Sequence, residues 1–252
     1  MHPHLFQFGN IIIPTYGVIA ALGLVLSLMV ASGCARITRL NEDAIWNLGI
    51  TTIAGTLIVS RILLIAQSPR AFLTYPLLML TLPSVTRWGL LIALASGLGY
   101  ILVKRMPLLT TLDTVAPATM LLATALHVGD IFTGEDIGTA TTASIGHLLP
   151  MPGPENGVGL YPVALFAALA SLTIATLGIV WLPRRTQAGE VAGVTLASAA
   201  AARFLIDGYR SEWSLPQLAT TAHLRPDQYL LLALVAVGGV LLLKRKGPTH
   251  AL

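Results

Sequence analysis

Apolar residues run through this chain in long blocks, and polar residues collect between them. Hydrophobic stretches of roughly 15 to 23 residues occupy 11–33, 45–65, 88–103, 114–128, 160–182, 191–206 and 228–243. About 20 apolar residues cross a bilayer as a helix, and a run of that length exceeds the ordinary strand. The pattern predicts an all-α polytopic membrane protein with seven transmembrane helices, residues 1–252 forming a single transmembrane domain. A further apolar piece, 73–82, is too short to cross; Pro76 interrupts it and Pro83 closes it, so it reads as a re-entrant or interfacial segment.

The charges supply a direction. Arg36 and Arg39 follow the first run, Lys104 and Arg105 the third, Arg184 and Arg185 the fifth, and Lys244, Arg245 and Lys246 the seventh. Basic clusters flank the cytoplasmic ends of membrane helices. Every odd run ends in one, which puts the N-terminus outside and the C-terminus in the cytoplasm. Composition agrees: 55% of the residues are hydrophobic and 10% charged, with a mean hydropathy of +0.78, whereas a soluble domain carries about 25% charged residues. The net charge of +4 is accounted for by these end clusters and implies no nucleic-acid partner. The one cysteine, Cys34, excludes an internal disulfide and supplies no metal site. "VASGCAR" faintly resembles a lipidation signal, but no Lys or Arg precedes the apolar run, which is also too long for a signal-peptide core. Cys34 is expected to be a small buried residue near the cytoplasmic end of the first helix.

With this direction, the non-basic polar chemistry gathers outside. The N-terminal "MHPHLFQFGN" lies there, as does the glycine-rich acidic stretch 129–159, expected to be an outward-facing loop or small head region. Loops longer than about 15 residues are usually functional or disordered. In "AARFLIDGYR", Arg203, Asp207 and Arg210 fall at i, i+4 and i+7, which on a helix stacks them along one face. An arginine at membrane depth costs at least ~2.5 kcal/mol on insertion scales. Two readings stand: the arginines bracket and neutralise Asp207 as an interfacial anchor, or their planar forks clamp a headgroup phosphate. Arg61, in "LIVSRILLIAQ", snorkels to the interface or joins that site. Asp113, in "TLDTVAP" on the opposite side, is expected to N-cap the fourth helix.

Taken in order, these pieces resemble the prolipoprotein diacylglyceryl transferase family. "HPHLFQFGNIIIPTYG" looks like the family opening, with Tyr16 and Gly17 in place, and "SRILL" puts Arg61 on a family arginine. "DTVAP" matches the start of the signature helix. "GDIFTGEDIG" resembles G-N-F-x-N-x-E-x-x-G, keeping Gly129, Glu135 and Gly138. "ARFLIDGYR" is similar to R-x-x-x-E-x-x-R, with Asp207 in place of Glu, and Gln228 matches a glutamine opening the last helix. Departures accompany the matches. Trp88, in "RWGLL", stands where the family has a histidine, with Arg87 beside it as a stand-in cation. His127 replaces the signature arginine, Asp130 and Thr133 replace the signature asparagines, and "YPVALFA" replaces H-P-S-Q-L-Y-E with Tyr161 at the histidine.

The resemblance implies a bacterial plasma-membrane enzyme that moves diacylglycerol from phosphatidylglycerol onto the lipobox cysteine of a prolipoprotein, without cofactor or metal. Its partners would be a phosphatidylglycerol-like phospholipid, the prolipoprotein and the bilayer. It casts Arg203, Glu135, His127 and Tyr16 as catalytic. Arg210, Arg61, Gly129, Asp130, Gly138 and Arg87 would bind the donor, with Asp207 structural. Histidine, whose unperturbed pKa is near neutral, is a natural base for a thiol. The alternative is a degenerate homologue, inactive or altered in substrate, that binds phospholipid or a membrane partner. A transporter or channel is a third, weaker reading; against it, the sequence has no internal repeat and no paired broken helices of the kind many transporters use.

Overall fold

Away from its two ends, a helix satisfies its backbone N–H and C=O groups within its own segment, and an isolated strand does not; apolar surroundings therefore favour helices. The computed structural model, which describes residues 4–8, 11–67, 87–136, 138–148, 159–210 and 226–243, is built accordingly. In chain order it contains β1 (His4–Phe8), β2 (Ile11–Pro14), α1 (Thr15–Thr38), α2 (Glu42–Gln67), α3 (Arg87–Val103) and α4 (Leu108–Thr133). There follow β3 (Ala140–Thr141), β4 (Gly159–Leu160), α5 (Val163–Trp181), α6 (Glu190–Asp207) and α7 (Pro226–Leu243), with 3₁₀ turns at Ser144–His147 and Leu182–Arg184. Among the described residues, four stretches are long and apolar enough to cross a membrane: Thr15–Thr38, Glu42–Leu63, Leu108–Thr133 and Val163–Arg184. The apolar parts of α3 and α7, Leu91–Val103 and Asp227–Leu242, are shorter. Large apolar side chains such as Leu22, Met29, Leu94 and Leu177 are exposed along these helices, which suits a hydrocarbon surround and not water. The interfacial segment expected at 73–82 lies outside the described residues.

Three expectations are corrected. The first apolar run does not begin as helix: Ile11–Pro14 is a strand, antiparallel to His4–Phe8. Three consecutive β-branched isoleucines favour the extended chain, and α1 starts directly after Pro14. The fifth run likewise opens as strand, Gly159–Leu160 pairing with Ala140–Thr141, and becomes helical only after Pro162. The all-α expectation thus holds for the bundle, and two two-stranded antiparallel sheets accompany it among the described residues. The fourth helix is longer at both ends than its apolar core, so Asp113 sits inside it; Pro107 occupies the N-cap position without a side-chain cap.

Asp113 instead caps another helix. Its carboxylate is fully buried and accepts N–H bonds from Gly189 (2.8 Å) and Ala192 (2.9 Å) at the start of α6, and from Arg185 Nη1 (2.9 Å). Orphan donors of a helix N-terminus favour a carboxylate for both hydrogen-bonding and dipole reasons. On the same level Thr38 and Thr114 share a buried hydroxyl bond of 2.8 Å, and Cys34 is buried against Leu182 and Val191, as expected.

The most extensive helix pair is α1 with α4, antiparallel, from Thr38–Thr114 at one end to Tyr16–Gly129 at the other. Small residues let the backbones approach. A Cβ on Gly23 would collide with the Cβ of Ala125, whereas one on Gly33 of the same helix meets nothing within 4 Å. Gly23→Ala is therefore expected to destabilise by about 1–3 kcal/mol through overpacking. Gly33→Ala is neutral or stabilising by helix propensity. Thermal unfolding of the two variants in detergent separates them. Similar midpoints would show that this contact does not constrain the pair.

Candidate functional site

Three elements bring polar side chains together at the end of the bundle away from Asp113: the first turn of α1, the last turn of α4 with the segment after it, and the end of α6. On α4, His127 and Asp130 are i, i+3 neighbours, and Nδ1 of His127 lies 3.2 Å from Oδ2 of Asp130. The helix stops at Gly134, whose φ of 73° closes the last turn with an N–H bond to the Asp130 carbonyl. Asp136, at φ 60°, holds the left-handed conformation that Asp accepts more readily than most residues. Its carboxylate Oδ2 receives Arg210 Nη2 at 2.6 Å.

The expected ladder is altered. Arg203 and Asp207 do pair across one helical turn, Nε to Oδ1 at 3.0 Å. The helix ends at Asp207, however, so Arg210 is not on its face. It arrives through a turn at Gly208 and Tyr209, with its Nε 3.4 Å from the same Asp207 oxygen. Both arginines are at ion-pair distance from Oδ1, but neither N–H is aligned for a hydrogen bond to it. The attraction there is electrostatic, and Asp207 is shared. Arg210 is also tied through its backbone, in an antiparallel bridge to Gly138, while Thr139 N donates to the Tyr209 carbonyl (2.8 Å) and Tyr161 N to the Thr139 carbonyl (3.1 Å). The rings of Tyr161 and Tyr209 meet edge to face, 5.1 Å between centroids. A Cβ on Gly138 would strike the Tyr161 carbonyl, so only glycine lets the segment pass there.

Exposure divides the two arginines. The side chain of Arg203 is 43% exposed and that of Arg210 9%. Burial, and then the like charge of Arg203, lower the pKa of Arg210, while Asp136 and Asp207 work to raise it. Burial likewise pushes the Asp136 carboxyl up from its ordinary value, with Arg210 and Arg203 drawing it back.

The remaining sequence-derived residues fall as follows. The ring of Tyr16 packs on Gly129, where a Cβ would come within 2.7 Å of Cδ2, and its phenol lies in the field of Asp130 and Glu135. Glu135 is exposed beside the cap of α4. Arg61 is half-buried in α2, which packs chiefly on α3 and α1. Arg87 and Trp88 open α3, but their side chains lie outside the described residues. Gln228 is half-buried near the start of α7. Two further residues of this end, Asp136 and Tyr209, are not marked as site residues by sequence spacing. Nothing in an acidic, glycine-rich stretch distinguishes Asp136 from Glu135 until the chain is folded. Donor atoms of His127, Asp130 and Asp136 come within 4.8 Å of one another; both carboxylates are already engaged, Asp130 by His127 and Asp136 by Arg210.

The family model for prolipoprotein diacylglyceryl transferase matches residues 3–244. The phosphatidylglycerol–prolipoprotein diacylglyceryl transferase of Clostridium tetani is 22% identical over 242 residues, covering 94% of this chain and 95% of that protein. One from Clostridium perfringens is 25% identical over 224 residues, with 84% of each covered, and one from Clostridioides difficile 24% over 214, with 82% of each. Matched across nearly its whole length, with its apolar helices in place, the chain belongs to the prolipoprotein diacylglyceryl transferase family.

Proposed function

We propose that this chain transfers a diacylglyceryl group from phosphatidylglycerol, or a closely similar phospholipid, to the lipobox cysteine of a prolipoprotein. The reaction takes place at the outer leaflet of a bacterial plasma membrane. The observation that carries the reading is the meeting of two cations, Arg203 and Arg210, with a carboxylate-oriented histidine, His127, at one end of the bundle.

The seven described helices serve as seven crossings, with the N-terminus outside and the C-terminus inside. A helix of 18 residues such as α7 is about 27 Å long, close to the hydrocarbon thickness. Arg36, Arg39, Lys104, Arg105 and Arg184 gather at the Asp113 end of the described bundle; that end faces the cytoplasm by the positive-inside rule, and the His127 end faces out. Of the stretch 129–159 expected to face outward, the described residues 129–136 belong to that end.

In the reaction the acceptor thiol gives its proton to Nε2 of His127, whose Nδ1 is held by Asp130. The thiolate attacks the glycerol carbon, a C–S bond forms, and the C–O bond to phosphate breaks. Glycerol phosphate leaves with one more negative charge, and the imidazolium proton passes to it or to water. Charge that grows on the leaving phosphate is met by Arg203 and Arg210, which are already oriented by carboxylates and need little reorganisation. Gly129 lets the Tyr16 phenol reach the same end, Glu135 stands at its exposed rim for the acceptor, and Arg61 of α2 and Arg87, the first residue of α3, are the further cations assigned to the donor.

The test is turnover by purified protein given headgroup-labelled phosphatidylglycerol and a lipobox peptide. Release of labelled glycerol phosphate with lipidated peptide is expected, and His127→Gln should slow it by about 10²–10⁴-fold, the worth of a general base. Lipid bound without any release would overturn the transferase reading in favour of a lipid-binding relative.

A further inference from the structure

Arg210 has five N–H donors in one plane, and what that plane faces decides whether they are useful. Asp207 cannot set it alone, being shared with Arg203 and 3.4 Å from Arg210 Nε. Asp136 holds Nη2 at 2.6 Å, a short contact between opposite charges, and at 12% exposure it is nearly as enclosed as its partner. We propose that Asp136 is a positioning residue for the donor lipid: it fixes the Arg210 guanidinium so that its remaining donors meet the donor's phosphate. The inference rests on the assignment of Arg210 to that phosphate.

The chain around Asp136 is built for this contact. Two left-handed residues, Gly134 and Asp136, fold the segment back over the end of α4. Two residues later Gly138 pairs with the backbone of Arg210, and Thr139 binds Tyr209. One short segment thus grips the arginine twice, by its main chain at Gly138 and by its guanidinium at Asp136. Without the second grip, this long, rotamer-rich side chain keeps, among the described residues, the shared contact to Asp207.

The experiment uses the full chain in mixed micelles, with labelled phosphatidylglycerol and a lipobox peptide varied separately. Asp136→Asn is expected to raise the donor KM by about tenfold or more, the worth of a hydrogen bond to a charged group, with the peptide KM unchanged. Asp136→Glu, which keeps the charge, should recover much of the loss. A merely structural role would lower the melting temperature and shift both KM values alike, and that result overturns the proposal, as does a donor KM within twofold of the parent. If the parent turns nothing over, the transferase reading fails by itself. Equilibrium binding of labelled phosphatidylglycerol to parent and variant then decides the role of Asp136 by the same tenfold criterion.

Discussion

Arg203→Ala is expected to lower donor turnover by about 10²–10³-fold, the effect of removing one preorganised donor from developing charge. Arg203 is the more accessible of the two site arginines, at 43% exposure, so an incoming phosphate reaches it without displacing Asp136. Its removal also leaves Asp207, 13% exposed, with Arg210 as its only cation among the described residues, adding local repulsion of an anionic donor. Arg203→Lys keeps the charge but loses the planar fork and should fall between the two. The measurement is kcat/KM for labelled phosphatidylglycerol at fixed peptide. A loss smaller than about fivefold for alanine would remove Arg203 from the phosphate site and leave it as the interfacial anchor that its exposure also permits.

Asp113→Ala is expected to destabilise the fold by about 3–5 kcal/mol, the cost of removing one partner of a buried ion pair. Three donors lose their acceptor together: Gly189 N, Ala192 N and Arg185 Nη1. Arg185, 19% exposed, would remain near the bundle interior without its carboxylate. Asp113→Asn retains one acceptor oxygen for the α6 N-terminus and should cost roughly half as much. Equilibrium unfolding in detergent measures both. Because Asp113 lies at the far end of α4 from His127, the folded fraction of the Asn variant should keep the parent's KM for donor and peptide. A stability within about 1 kcal/mol of the parent for alanine would mean that water replaces the carboxylate and that the α4–α6 tie is not structural.

The membrane character of the chain was legible in its residues. Uninterrupted apolar runs have few alternatives to helices, and the basic clusters at alternate ends follow a rule that acts on the linear chain. Proline positions are the local signal for where two of these helices begin. Pro14 and Pro162 mark where strands end and α1 and α5 begin, because proline lacks the N–H that a helix interior needs. Pairs such as His127–Asp130 and Arg203–Asp207 could also be foreseen, since i, i+3 and i, i+4 spacing on a helix requires nothing beyond the helix.

Only the tertiary structure decided which polar groups belong together beyond that range. Asp113 and Ala192 are 79 residues apart in sequence and bonded in space. Asp136 and Arg210 are separated by 74. Helix periodicity is silent at such distances, because the partner is chosen by how α4 and α6 pack and by where α6 stops. The ladder of Arg203, Asp207 and Arg210 is the instructive case: its spacing fits one helical face, yet the helix ends at Asp207 and Arg210 turns to Asp136 instead. The residues determined the charges; their packing determined that Arg203 stays reachable while Arg210 is enclosed between two carboxylates, where burial makes each ion pair geometrically demanding and an unpaired charge costly.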